Sequence, residues 1–598
     1  MVEVDSIRPL AAVLVSFIAT GAIVASYRYP NVRDSWSVIA AFTKFGIVAS
    51  MVPGVLNGQI YVWSFGTFVP GVEFALRADP LGMLFGLLAS FLWIFTAFYA
   101  TGYMRGLDEP NQTRFFAAFA MSLSTAVGIA FSQNLVTIFV FYELLSAATY
   151  PLVAHDEDSE ARIAGRKYLA YTFFGGGVLV LAGTVLVFFM AGTVDFSAGG
   201  IPALAEAASA DPWLAQLAFG LLVAGFGVKA ALMPMHSWLA DAMVAPTPVS
   251  GLLHAVAVVK SGAFGIARVI LDVFGPETVA ELGVHIPLAI VAAFTLTAAS
   301  IIAMRKDHLK RRLAYSTTAQ LSYIVLGLSM LHPYAILGGL LHIPAHAFGK
   351  LTLFFCAGAI HVETHTDYIS EMAGIGKRMP FTMAAFTVGA AGMAGIPLIA
   401  GFVSKYYMLI GGLGAGGLGV LGVESAVMSP TLGIIFSGSL ILSGLLNIAY
   451  FWPIIYTAYF ESENRHDAKP LLEFPMGGKT ESYGVTVGRL TDGGEPIDEN
   501  GRNENDGYAV DQSPSDHSND DHDDHDDHDE HADHDHHGGP PSDGWERRTP
   551  WTESTWLMLV PIGLIATGAV VLGIIPGYAV FLELVVYIVE EVTGEVVP

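Results

Sequence analysis

Apolar runs of about 20 residues, the length a helix needs to cross a hydrocarbon core, recur along the sequence between short polar turns. They predict about fourteen transmembrane helices, near 8–26, 37–55, 80–102, 114–132, 134–154, 168–190, 213–235, 248–272, 284–304, 312–330, 334–361, 380–412, 428–460 and 553–575. The stretch from Val580 to Val592 is too short to span and carries Glu583, Glu590 and Glu591, so it reads as an interfacial or partner-docking helix. The first span follows only Arg8 as a positive flank and runs straight into the second, as a retained helix does and a cleaved signal does not. The implied fold class is an all-α polytopic membrane protein.

Composition supports this. Of 598 residues, 53% are hydrophobic and 14% charged, with mean hydropathy +0.53, whereas roughly 25% are charged in an ordinary soluble domain. The single cysteine, Cys356, lies within a span, which excludes a disulfide framework and a cysteine-rich metal site. When loops are assigned alternately to two sides, one side collects Arg28, Arg33, Arg105, Arg114, Arg162, Arg166, Lys167, Arg305, Lys306, Lys310, Arg311, Arg312, Lys377 and Arg378. The other side has little beyond Arg8 and Arg77. The positive-inside rule makes the rich side cytoplasmic, so both termini lie outside and the span count is even.

One long polar insert, 461–550, separates the last two full spans. It holds 25 acidic and 7 basic residues and so carries 18 of the chain's 25 net negative charges. Its richness in Gly, Pro, Asp and Asn predicts a disordered, cytoplasmic loop. Within it, 516–537 reads DHSNDDHDDHDDHDEHADHDHH. Such a tract can collect Zn, Ni or Cu ions weakly. It can equally be a solvated spacer in a protein from an organism living in strong salt, and that simpler reading is preferred.

Buried charge carries the chemistry. Lys229, Lys260, Lys350 and Lys405 each lie in an apolar span, and Glu143 lies in another. A charge at the bilayer centre costs at least about 2.5–3.5 kcal/mol, and such residues usually mark an ion path or proton relay. Glu143 and Lys229 have opposite charges, so each can lower the cost of burying the other. Burial disfavours a charged lysine and a nearby carboxylate favours it, so a lysine whose partner moves away becomes a proton site with two affinities.

His254 and Lys260 lie six residues apart, about 120° around one helix, and share no narrow stripe. His342, His346 and Lys350 recur every four residues on one face. Lys350 could instead snorkel to the headgroups, His254 could be a neutral histidine bonded to a carbonyl, and His342 with His346 could form half of a metal site. No carboxylate accompanies the last pair before the end of the span. Arg268, at the outer end of its span, reads as structural. Met233-Pro234 after Lys229 and Gly395-Ile396-Pro397 before Lys405 predict broken seventh and twelfth helices, the pointer to a transport site in an inverted-repeat fold.

The stretch 229–268, KAALMPMHSWLADAMVAPTPVSGLLHAVAVVKSGAFGIAR, carries a lysine followed by PxHxWLxDA and PTPVSxLLHA. Further motifs are FYELLSAATYPLV around Glu143, LKRRLAYSTTAQLSYI from Leu309, HIPAHAFGKLTLFFCAGAI from His342, GIGKRMP from Gly374 and GIPLIAGFVSKYYM from Gly395. Over roughly 70–460 the chain resembles the proton-conducting antiporter module shared by respiratory complex I and the multisubunit Mrp/Mnh Na+/H+ antiporters. LLNIAYFWPIIYTAYF from Leu445, together with the length, most resembles the D-type subunit of the latter.

The resemblance implies two inverted five-helix repeats, at 113–272 and 273–460. These follow three N-terminal helices in 1–112, and the insert and 551–598 come after them. It implies a relay in which Glu143 is the switch partner, Lys229 the central carrier, His254, Lys260, His342, His346 and Lys350 the intermediate stations, and Lys405 the exit. It further implies other membrane subunits as partners, protons and Na+ as cargo, a location in the cell membrane, and no cofactor or nucleic acid. The nearest rival is a proton-pumping subunit of a complex-I-like dehydrogenase or membrane-bound hydrogenase. A rival of another class is a divalent-metal transporter that uses the His/Asp tract as a collector.

Overall fold

A computed structural model describes residues 1–418, 426–463, 538–541, 544–578 and 580–597. Among them, eleven helices are long and apolar enough to cross a membrane, from Arg8–Ala25 to Trp556–Ile574. The other three expected spans are helical too, but each is broken or polar. Residues 247–273 alternate α- and π-helical segments, Leu309–Ser329 carries a row of buried hydroxyl and amide side chains, and Pro380–Ala394 is separated from Ala400–Ala415 by a short break. The seventh span stops at Lys229, and the chain is irregular until Ser237–Asp241. Both expected helix breaks are therefore present. The C-terminal amphipathic helix runs Val580–Thr593.

Local chemistry sets many of the helix starts. Asp79 precedes Pro80, and its carboxylate accepts from the Gly82 N–H at 2.8 Å. Asn134 caps Leu135–Val153 through the Thr137 N–H, and Asp158 caps the next helix through the Ala161 N–H. Each satisfies a backbone donor that the first helical turn leaves open.

The all-α expectation omits one feature. Strands β1 (Val2–Asp5), β2 (Gln59–Val69) and β3 (Val72–Ala78) form a small sheet, with β1 parallel to β2 and β2 antiparallel to β3. The hairpin turns at Pro70-Gly71, where Gly71 has φ 85 and only glycine adopts that conformation without strain.

The insert also differs from expectation at its ends. Its middle, 464–537, including the His/Asp tract, lies outside the described residues. Residues expected to be disordered beyond it are instead held against the helices: the Trp545 indole donates to the Ala373 carbonyl at 2.8 Å, and the Glu463 carboxylate accepts from the Trp545 N–H at 2.9 Å. Glu553, just past the insert, is fully buried and accepts from the Phe381 and Thr382 N–H groups at 2.8 Å each, capping the broken twelfth helix.

An ion cluster fastens the sheet to the bundle. The Arg268 guanidinium, 1% exposed, donates to both Asp79 oxygens at 2.6 and 2.7 Å and to Asp272 at 2.7 Å. Asp79 thus caps one helix while binding the end of another. Removing one member of a buried pair leaves an uncompensated charge and costs about 3–5 kcal/mol. Arg268→Met is expected to lower the melting temperature of the purified protein by that equivalent, and Arg268→Lys to recover only part because it loses the bidentate fork; an unchanged melting temperature would contradict the structural role.

Candidate functional site

The expected relay residues centre on two clusters. The first surrounds the end of the Pro212–Lys229 helix. Lys229 is fully buried, and its ammonium donates to the Tyr142 carbonyl at 2.5 Å and lies 3.4 Å from the centre of the Tyr142 ring. Glu143 follows Tyr142 directly, yet neither of its carboxylate oxygens has a hydrogen-bond partner. The expected Glu143–Lys229 ion pair is therefore open in this structure. The lysine is held one residue short of the carboxylate because a helical carbonyl intercepts it.

The Glu143 carboxylate rests against Gly177, the last residue of the π-helical segment Ala170–Gly177; a Cβ there would sit 2.2 Å from Glu143 Oε1. π-Helical turns cluster at functional sites because they re-aim the groups around them. A second close approach joins the clusters. A Cβ on Gly262 would lie 2.3 Å from the Ala230 nitrogen, so the absence of a side chain lets the Lys260 helix pack on the backbone just past Lys229.

The second cluster is a row of polar side chains, hydrogen-bonded except between its two imidazoles. Lys260 Nζ lies 2.7 Å from His346 Nδ1, while His346 Nε2 has no partner. The His342 ring follows at 6.1 Å from that of His346. His342 Nε2 meets Gln320 Oε1 at 2.9 Å and His342 Nδ1 meets Ser404 Oγ at 2.8 Å. The Gln320 amide nitrogen donates to the Met393 carbonyl at 3.3 Å and to Asn447 Oδ1 at 3.2 Å. Lys405 donates to the same Met393 carbonyl and lies 4.4 Å from the centre of the Tyr323 ring. Met393 sits in the last turn before the helix break, where carbonyls lack intrahelical partners and are free to accept.

Chemically, this row tolerates a mobile proton. Gln320 Oε1 only accepts, so His342 carries hydrogen on Nε2. Ser404 Oγ is within reach of both His342 Nδ1 and the Gly401 carbonyl, the latter at 3.2 Å. Turned to the ring, the hydroxyl donates to a neutral imidazole; turned to Gly401, it accepts from an imidazolium. Both protonation states of His342 are thus fully hydrogen-bonded, and a hydroxyl rotation separates them.

The remaining expected residues lie beside the row. Lys350 is fully buried and donates to the Leu313 carbonyl at 3.0 Å, so it does not snorkel. His254 is fully buried with both ring nitrogens unpartnered, packed on Phe354 at 4.8 Å, and is not bonded to a carbonyl. It belongs to the π-helical segment Leu252–Val256, followed by an irregular Ala257, so the simple 120° relation to Lys260 does not hold. Both His342 nitrogens are taken up by Gln320 and Ser404, and no carboxylate bonds His342 or His346 among the described contacts.

Sequence reasoning missed Tyr142, Gln320, Ser404 and Asn447, all of which touch the row or its first cluster. For Gln320 a signal exists: Ser316, Thr317, Thr318, Gln320 and Ser322 crowd one membrane helix and are all buried. Lys44 was also missed. It is fully buried in the second span, donates to the Leu123 carbonyl at 2.7 Å and lies 5.3 Å from the centre of the Trp93 ring.

Residues 132–429 match the family described as NADH:quinone oxidoreductase/Mrp antiporter, TM, and residues 65–116 match the one described as NADH-Ubiquinone oxidoreductase (complex I), chain 5 N-terminus. NADH-quinone oxidoreductase subunit N of Desulforudis audaxviator (strain MP104C) is 32% identical over 417 residues, 68% of this chain and 77% of that one. The chain belongs to the NADH:quinone oxidoreductase/Mrp antiporter family. A probable K(+)/H(+) antiporter component of Rhizobium meliloti (strain 1021) is 32% identical over 399 residues, 66% of this chain and 38% of that one. Hydrogenase-4 component B of Escherichia coli (strain K12) is 31% identical over 386 residues, 61% of this chain and 56% of that one. In fold, this family member superposes on a chain of the Mrp complex from Dietzia sp. DQ12-45-1b with TM-score 0.72, over 98% of this chain and 97% of that one, at 19% identity.

The Lys260–His346 contact has a direct test. His346→Leu leaves a buried ammonium unsatisfied, a loss of about 1–3 kcal/mol or more, and is expected to lower the melting temperature, whereas Lys260→Met with His346→Leu recovers much of it. Strictly additive losses in this double-mutant cycle would contradict the contact.

Proposed function

We propose that this chain is the proton-carrying membrane subunit of a multisubunit monovalent cation/proton antiporter, in the place of the D-type subunit of the Mrp/Mnh Na+/H+ antiporters. The observation that carries the reading is the row from Lys260 through His346, His342, Gln320 and the Met393 carbonyl to Lys405. Protons pass along it, loaded from Lys229 when Glu143 and Lys229 part and reset when they meet. His254 and Lys350, buried beside the row, complete it. The segments 113–272 and 273–460 act as two inverted halves, each with one broken helix.

On this reading the chain sits in the cell membrane with both termini outside and its basic-rich end in the cytoplasm, and it works only with neighbouring membrane subunits. It needs no cofactor of its own. The second reading, a pumping subunit of a redox-driven complex, is favoured by the relatives named as quinone oxidoreductase and hydrogenase components. The subunits that co-purify distinguish the two: small antiporter subunits for the first, redox subunits for the second. The divalent-metal transporter reading predicts that deleting 516–537 reduces transport, whereas unchanged Na+-dependent pH changes leave it without support.

Glu143→Ala and Lys229→Ala are each expected to abolish Na+-dependent pH changes in vesicles while the complex still assembles; full activity in either one sinks the mechanism. Gly177→Val, which crowds out the Glu143 carboxylate, is expected to mimic Glu143→Ala, and a wild-type transport rate in that variant would show that the seat of the carboxylate does not matter.

A further inference from the structure

A second group of titratable side chains lies apart from the row, where two helices end at the basic-rich end of the bundle. Glu109 follows the Pro80–Gly106 helix, and His155 and Asp156 follow Leu135–Val153. One ligand atom from each of the three lies within 4.8 Å of those from the others. His155 is 1% exposed, and its ring nitrogens make no hydrogen bond of normal geometry, only a weak contact with the Pro110 backbone. A buried imidazole so poorly bonded is costly unless something binds it. Asp156 is exposed and Glu109 half-buried, so the group opens to solvent on one side.

The backbone around the group is fixed independently of these side chains. The Glu109 N–H donates to the Met104 carbonyl at 3.0 Å, and Gln112 Nε2 donates to the Glu109 carbonyl at 3.0 Å. Arg114 donates to the His155 carbonyl at 2.7 Å, and Phe115 packs edge-on against the imidazole at 5.5 Å. Arg114 itself is paired with Glu157. Glu109 and Asp156 are thus presented without their carboxylates being used to hold the loop, and the His155 ring, with only its weak contact to the Pro110 backbone, keeps a nitrogen open.

We propose that Glu109, His155 and Asp156 bind a divalent transition-metal ion that ties the end of the Pro80–Gly106 helix to the end of the helix carrying Glu143. One imidazole and two carboxylates form a donor set that suits Zn2+ and its neighbours, whereas Mg2+ and Ca2+ prefer oxygen alone. Burial, then the Arg114 charge, pushes the His155 pKa down to about 4, so its nitrogen lone pair is available at neutral pH. Burial and neighbouring carboxylates, Asp156 beside Glu109 and Asp158 beside Asp156, push both acids up, a crowding that a cation relieves; Lys310 offsets part of it. Bound metal restrains the Leu135–Val153 helix against its neighbour and slows transport. That last consequence rests on the proposed role of Glu143.

The test uses the purified, chelator-stripped complex equilibrated with Zn2+. At one fixed free Zn2+ concentration, Asp156→Asn and Glu109→Gln are each expected to retain one zinc fewer per chain than the unaltered complex, the 516–537 tract contributing equally to all. Asp156 is exposed, so its substitution leaves folding intact. Equal zinc content in unaltered complex and both variants would overturn the site. Zn2+ is also expected to inhibit transport, with a half-inhibiting concentration about tenfold or more higher in Asp156→Asn. Lost zinc with unchanged inhibition overturns the restraint on the helix, and the Glu143→Ala assay reports on the proton role separately.

Discussion

A buried ammonium held by a single backbone carbonyl is the interaction on which the rest of this structure depends. Lys44, Lys229 and Lys350 use it, on Leu123, Tyr142 and Leu313, and the half-buried Lys405 uses it on Met393. A hydrogen bond to a charged group contributes about 1.5–3 kcal/mol, whereas removing an ammonium from water costs several. A carbonyl alone therefore leaves each charge under-compensated. Aromatic faces supply part of the difference, Tyr142 for Lys229 and Tyr323 for Lys405; a carboxylate, an imidazole or water can supply the rest, and each such group becomes a control point. Glu143 stands unbonded beside Lys229, and His346 already touches Lys260.

One helix break serves the same requirement, although Leu123, Tyr142 and Leu313 accept from within continuous helices. An intact helix uses its carbonyls internally, so an acceptor deep in the membrane is most available where a helix stops. Met393 supplies one at the Gly395–Pro397 break, and it joins Gln320 to Lys405. On the other side, Lys229 is itself the last helical residue, and the close approach at Gly262 brings the next span onto that end. Breaks, glycines and lysines thus form one device. The Arg268 cluster differs: two carboxylates compensate its charge fully, which suits a fastening and not a carrier.

Much of this was legible in the sequence. The hydropathy of the spans, the proline signals at both breaks and the burial of Lys229, Lys260 and Lys350 required only local pattern, whereas Lys405 is only half-buried. The sheet was not anticipated, although IYVWSFGTFV of β2 is rich in the β-branched and aromatic residues that favour strands. Lys44 was readable by the rule applied to the other lysines and was overlooked. Gln320, Ser404 and Asn447 are different, because their importance lies in which neighbour they reach. His342 meets residues 22 positions before and 62 positions after it, and no periodicity encodes such contacts. The open Glu143–Lys229 pair was likewise beyond pattern, since charge complementarity alone cannot tell whether a helical carbonyl stands between the partners.

The central claim is that protons travel along the row through His342, and Gln320 is its narrowest point because it alone links that ring to the carbonyl bonded by Lys405 among the described contacts. The most direct measurement is the initial rate of Na+-dependent pH change in vesicles containing the complex with Gln320→Leu, a substitution that keeps the side chain's bulk and removes its three hydrogen bonds. A fall of about tenfold or more, in the range that loss of a positioned proton-transfer group produces, with the complex still fully assembled, is the expected result. A rate equal to that of the unaltered complex would contradict the path.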